Sequence, residues 1–143
     1  MRKLLVFGLV LLAGCGGNSS ESVPVGCTEG PGPVVKALRK APGAVTVDGT
    51  PISRCFNRNA RGQDVEIVGT NLVTAAQELG DRARQGEPAA ALQLGYLVGA
   101  AQRGSKRSGL ATEMVRRIEA ESSGLRAARP AYERGLRAGL AQG

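Results

Sequence analysis

The sequence predicts an all-α fold: a small helical bundle of four or five helices, with a disulfide-tied N-terminal segment and one short strand at most. Three observations carry this. Apolar residues recur at three- and four-residue steps through most of the second half of the chain. Alternation at a period of two is too scarce for an α/β sheet. Only Phe56, Tyr96 and Tyr132 supply aromatic rings after the first fourteen residues, so the core must be built from Ala, Leu, Val and Ile. Small aliphatic side chains bury little area each, and a core of this kind gains from a covalent staple.

The first fifteen residues read M-R-K-L-L-V-F-G-L-V-L-L-A-G-C. Two positive charges precede a short apolar run, Leu4 to Leu12, which ends in small residues. That is the layout of an export signal, and the run is too short for a stop-transfer span. The run closes on Leu12-Ala13-Gly14-Cys15, and over these fifteen residues the chain resembles bacterial lipoproteins, whose lipobox ends in cysteine. The resemblance implies cleavage before Cys15, transfer of a diacylglycerol to the Cys15 thiol, and acyl (palmitate-type) anchoring at the extracytoplasmic face of the cell membrane. Two acyl chains bury enough methylenes, at roughly 0.8 kcal/mol each, for stable anchoring. Gly rather than Asp follows Cys15, which leaves the outer membrane open as the destination if the source has one.

Gly16 to Gly26, rich in Gly and Ser, reads as a flexible tether. The expected organisation is therefore residues 1–14 as a removed signal, 15–26 as lipidated cysteine and tether, and 27–143 as one helical domain. Beyond Cys15 only Cys27 and Cys55 remain, and two cysteines in an exported chain most simply form one disulfide. The alternative is a pair of thiols, buried or redox-active.

Pro33 to Lys40 is a short amphipathic helix with Val34, Val35 and Leu38 on one face, ended by Pro42-Gly43. Ala44 to Asp48 alternates enough for one strand, and Asp48-Gly49 is a turn signal. Pro51 argues against a partner strand over Thr50 to Arg54, so Thr50 and Pro51 are expected to open a short helix carrying Ile52, Cys55 and Phe56. Asn57 to Gly62 is a loop. Asp64 to Gln85 is the clearest helix, with Val65, Val68, Leu72, Ala75, Ala76, Leu79 and Ala83 at helical spacing and Gly86 as its stop.

Pro88 to Gln102 carries no charge and is apolar nearly all round, as a central buried helix would be. Ala91, Gly95 and Gly99 lie four apart and form a smooth face. Helix dimerisation and tight packing within the chain both use such a face, and the second is preferred in a soluble context. Leu94-Gly95-Tyr96 resembles a tetratricopeptide-type signature, with no second copy at repeat spacing. Gly104 to Gly109 is a polar loop, after which Ser108 is suited to cap a helix burying Leu110, Ala111, Met114, Val115 and Ile118. Pro130 marks a break or a new start. In the last stretch Leu125, Tyr132, Leu136 and Leu140 share one face and Arg126, Arg134 and Arg137 the other, with Glu133 among them. Gly135 and Gly139 either permit close packing or let the end fray.

The formal charge is +7 and unevenly placed. Cys15 to Gln102 balances eight basic against eight acidic residues, whereas Arg103 to Gly143 holds nine basic and four acidic. A basic segment attracts polyanions or anionic headgroups, and Arg126, Arg129, Arg134 and Arg137 are the anion-binding candidates. A solvated helix face reads the same way. Histidine is absent, which removes the commonest general base and metal ligand. No catalytic residue, metal site or cofactor is assigned. No phosphate loop or nucleophile elbow is present. Glu119 and Glu121, two apart, should diverge on a helix and not act with Glu113 on one substrate. Nucleic-acid binding is not expected, because stacking aromatics and docking motifs are lacking. The expected function is a membrane-anchored, non-catalytic interaction or scaffold module rather than an enzyme. Its partners are the membrane through the anchor, and an envelope protein or an anionic envelope polymer. The sequence leaves the oligomeric state open.

Overall fold

A computed structural model describes residues 23–56, 62–105 and 109–143, and the described residues form an all-α bundle of five helices with one two-stranded ribbon. α1 spans Pro31–Leu38. It begins two residues earlier than Pro33 because Pro31 also suits a first turn, where a missing N–H costs no hydrogen bond, and Gly30 supplies the entry at φ 124°. Val34, Val35 and Leu38 are buried as the spacing requires.

The ribbon corrects one expectation. β1 (Thr46–Val47) does pair, antiparallel, with β2 (Thr50–Pro51), in the register Thr46 to Pro51 and Val47 to Thr50. Asp48 and Gly49 both have positive φ, 50° and 75°, as the tight hairpin turn demands. Pro51 is tolerated for a reason of register. The Ile52 N–H donates to the Val45 carbonyl at 3.1 Å. Hydrogen-bonded and non-hydrogen-bonded pairs alternate along an antiparallel ladder, so Pro51 occupies a site whose N–H would point away from β1. The expected short helix follows Pro51 as a 3-10 turn, Ile52–Phe56, and buries Ile52, Cys55 and Phe56.

α2 spans Gly62–Arg84 and buries Val68, Leu72, Ala75, Ala76, Leu79 and Ala83. Gly86, at φ 96°, closes it: the Gly86 N–H donates to the Ala83 carbonyl and the Glu87 N–H to the Arg82 carbonyl, the paired bonds of a Schellman stop. α3 (Pro88–Ser105) is the central helix, buried almost continuously from Ala90 to Ala101. It overruns the loop expected at Gly104. The 3-10 turn lies against α3 there, and a Cβ on Gly104 would come 2.9 Å from the Phe56 Cβ and overlap the Ser53 carbonyl. Glycine at 104 is therefore a packing residue. α4 (Gly109–Ala120) buries Val115 and Ile118; the proposed Ser108 cap and the loop residues 57–61 lie outside the described residues. A turn and a 3-10 segment, Arg126–Ala128, lead into α5 (Arg129–Gln142), with Pro130 in its first turn.

α5 packs almost entirely on α3, and the two run parallel. A Cβ on Gly95 would overlap the Tyr132 carbonyl, and one on Gly99 the Leu136 carbonyl. Reciprocally, a Cβ on Gly135 would overlap the Leu92 carbonyl, and one on Gly139 the Tyr96 carbonyl. The smooth Ala91–Gly95–Gly99 face thus finds its mate within the same chain. Gly135 and Gly139 are buried contact points, not fraying positions.

Candidate functional site

The N-terminal segment is held to the body at several points. Cys27 and Cys55, both buried, form a disulfide with their Cα atoms 5.9 Å apart, joining the 3-10 turn Val25–Cys27 to the turn Ile52–Phe56. The Gly26 N–H donates to Asp48 Oδ2 at 2.7 Å, and Asn71 Nδ2 donates to the Cys27 carbonyl at 3.1 Å. These bonds link the segment to the hairpin turn and to α2. Val23 packs against the core and Gly26 is buried, so the last four residues assigned to the tether, Val23–Gly26, belong to the folded body. Cys15 lies outside the described residues. The sequence shows Asp48 only as a turn residue and gives no sign of its bond to Gly26 or of Asn71's to Cys27; a side chain reaching 22 or 44 residues along the chain leaves no local signature.

The acidic residues of the last third are each committed to a different neighbour. Glu113 accepts from Arg116 at 2.8 Å and Arg117 at 3.1 Å. Glu119 accepts from Gln102 of α3, and Glu121 meets Arg84 of α2 at 3.5 Å. Glu133 pairs with Arg129 at 3.2 Å. Arg84 also donates to Asp81 at 2.7 Å and to the Glu121 carbonyl at 3.0 Å, so its main effect is to lace α2 to the end of α4. Hydrogen bonding to Asp81 pushes its pKa further up. Glu113, Glu119 and Glu121 therefore serve three separate contacts and do not converge. Among the described residues no group of three His, Cys, Asp or Glu could hold a metal ion, and no helix is long and apolar enough to cross a membrane.

The Arg116 and Arg117 hydrogen bonds hold the Glu113 carboxyl well below the usual carboxylate range, at about 2. A depressed carboxyl supports the fold above its unfolded pKa, and that support is lost as pH falls from the unfolded value toward about 2. The expected result in an NMR titration is a Glu113 side-chain midpoint near 2 that moves upward in an R116Q/R117Q variant. A normal midpoint in the native chain would show that these ion pairs do not persist in solution, as holds for many exposed pairs.

The four candidate arginines are all exposed, Arg126 in the 3-10 segment before α5 and Arg129, Arg134 and Arg137 on α5 itself. Arg129 pairs with Glu133 and stands 5.2 Å over the Tyr132 ring, a cation–π distance. Burial pushes the Tyr132 phenol above its ordinary pKa. Arg103 is differently used: its guanidinium donates to the Leu140 carbonyl at 3.0 Å and also to the Ala141 carbonyl, satisfying the C-terminal end of α5. Among the described residues, Arg126, Arg134 and Arg137 have no acidic partner. A second feature, not foreseen from the sequence, is an open groove of about 510 Å³ between α2 and α4, floored by Val65, Gly69, Val73 and Met114 and edged by Glu113 and Arg117.

No protein-family model, curated protein or solved structure matches this chain.

Proposed function

We propose that the protein is a lipid-anchored extracytoplasmic lipoprotein whose helical body serves as a non-catalytic interaction or scaffold module. The observation that carries this reading is the order of features in Met1 to Cys15: two cations, a short apolar run, small residues, then the lipobox cysteine. The Cys27–Cys55 disulfide supports it, because such bonds persist in oxidising compartments outside the cytosol. A body pinned through Gly26 and Cys27 suits a protein held to a bilayer by its N-terminus. The separate arginine and glutamine contacts of Glu113, Glu119 and Glu121 do not suit the paired-carboxyl chemistry of glycoside hydrolysis, which needs two carboxyls converging on one substrate. Mass spectrometry of the native protein extracted from membranes should find a mature N-terminus at Cys15 carrying diacylglycerol on its sulfur. A free thiol at Cys15, or a soluble chain that retains residues 1–14, would overturn the proposal.

A further inference from the structure

We infer that the outer face of α5 is the surface the anchored protein lays against anionic phospholipid headgroups, so that the body is oriented on the bilayer as well as tethered to it. The inference rests on the lipid-anchor reading for the chain's proximity to a membrane, and on the structure for the choice of face. The last third of the chain has nine basic and four acidic residues, and its acids are spent unevenly. Glu113 is shared by Arg116 and Arg117 and offsets one of their two charges, Glu119 faces Gln102, Glu121 faces Arg84, and Glu133 takes Arg129. Arg103 turns inward to the carbonyls ending α5. The arginines left without an acidic partner among the described residues are Arg126, in the turn that leads into α5, and Arg134 and Arg137, one turn apart on the exposed side of α5.

That side is also the free side. Ala131, Tyr132, Gly135 and Gly139 are buried, and the glycines bring α5 into backbone contact with α3, leaving the opposite surface outermost. Arg134 and Arg137 stand one turn apart, where helical neighbours lie side by side. Leu140, 38% exposed, lies one turn beyond Arg137 and adds an apolar group at the edge of the basic face, as in helices that lie in the headgroup plane.

Attraction of this size is weak in free solution and is screened beyond about 8 Å at physiological salt. Anchoring changes the odds. From Cys15 to Val23 the chain can span at most about 29 Å even fully extended. A body of this length is roughly 35 Å across. The leash is therefore no longer than the body, and the basic face is kept at high effective concentration near the headgroups.

The test uses the native lipidated chain in two sets of vesicles, neutral phosphatidylcholine alone and phosphatidylcholine with phosphatidylglycerol. An arginine-selective dicarbonyl reagent modifies accessible guanidiniums, and each site is quantified by peptide mass spectrometry. The expected result is several-fold slower labelling of Arg126, Arg134 and Arg137 on the anionic vesicles, lost in high salt, with the exposed Arg39 and Arg116 unchanged as internal controls. Equal labelling on both vesicle types, with the protein co-floating on both, would overturn the orientation and leave the anchor standing. Failure to float on neutral vesicles would count against the anchor, while the anionic arm would still decide the face by protection or its absence. Equal protection by soluble polyglutamate at matched charge would assign the face to anionic polymer and overturn its assignment to lipid.

Discussion

Replacing Gly135 by alanine is expected to destabilise the protein by about 2–3 kcal/mol, the scale of core overpacking, although alanine is the better helix former by about 1 kcal/mol. The two effects have opposite signs, so the experiment discriminates between them. A Cβ at 135 overlaps the Leu92 carbonyl oxygen and comes 2.8 Å from the Tyr96 nitrogen, and both of those atoms are backbone that cannot rotate aside. α5 would have to back away from α3 along its length. Gly32, inside α1 with nothing within 4 Å of its ideal Cβ, is the matched control. There alanine should be neutral or stabilising by up to about 1 kcal/mol. Urea midpoints with unchanged slopes would read both variants. For a domain of this size, the Gly135 variant should melt roughly 10 °C lower. A stabilised G135A would mean that the α3–α5 contact is looser than the packing shows.

Removing the disulfide in a C27A/C55A variant is expected to cost roughly 3–4 kcal/mol on the loop-entropy account. The cysteines are 28 residues apart, and closing a loop of that length restricts the unfolded chain. The urea slope should rise with the loss, because an uncrosslinked denatured chain expands and exposes more surface. That rise separates the disulfide effect from the packing effect at Gly135. Reducing the native chain in denaturant and refolding it without oxidant should reproduce the same midpoint. An unchanged midpoint in both forms would show that the Gly26–Asp48 and Asn71–Cys27 hydrogen bonds hold the segment unaided.

Much of the helical layout was legible in the residues. α2 and α3 were placed within a few residues at each end, because a long periodic apolar stripe and a charge-free run each allow one arrangement in water. The Asp48-Gly49 turn was legible for the same local reason: both positions must take positive φ. The strand pairing at Pro51 is not legible locally. A proline's missing N–H matters only at positions that donate to the ladder, and position in the ladder is a property of the pair, not of the residue. The end of α3 is not legible at Gly104, because a glycine that breaks an isolated helix and a glycine that admits a neighbour look alike in sequence. The arginine face was half legible. Its charge excess could be counted, but which arginines keep their charge to themselves depended on where Glu113, Glu119, Glu121 and Glu133 found partners.

The division follows the range of the forces. Periodicity, proline and glycine positions, and the census of cysteines act over a few residues or through simple counting, and they specify a bundle of four or five helices, a turn and one cross-link. Meetings between segments far apart in the chain had to await assembly: the backbone contact of α3 with α5, the hairpin register that spares Pro51, and the sorting of acids that isolates Arg126, Arg134 and Arg137. Each depends on the distance and direction between groups that no local stretch contains, and a close glycine contact or an ion pair exists only once both sides are in place.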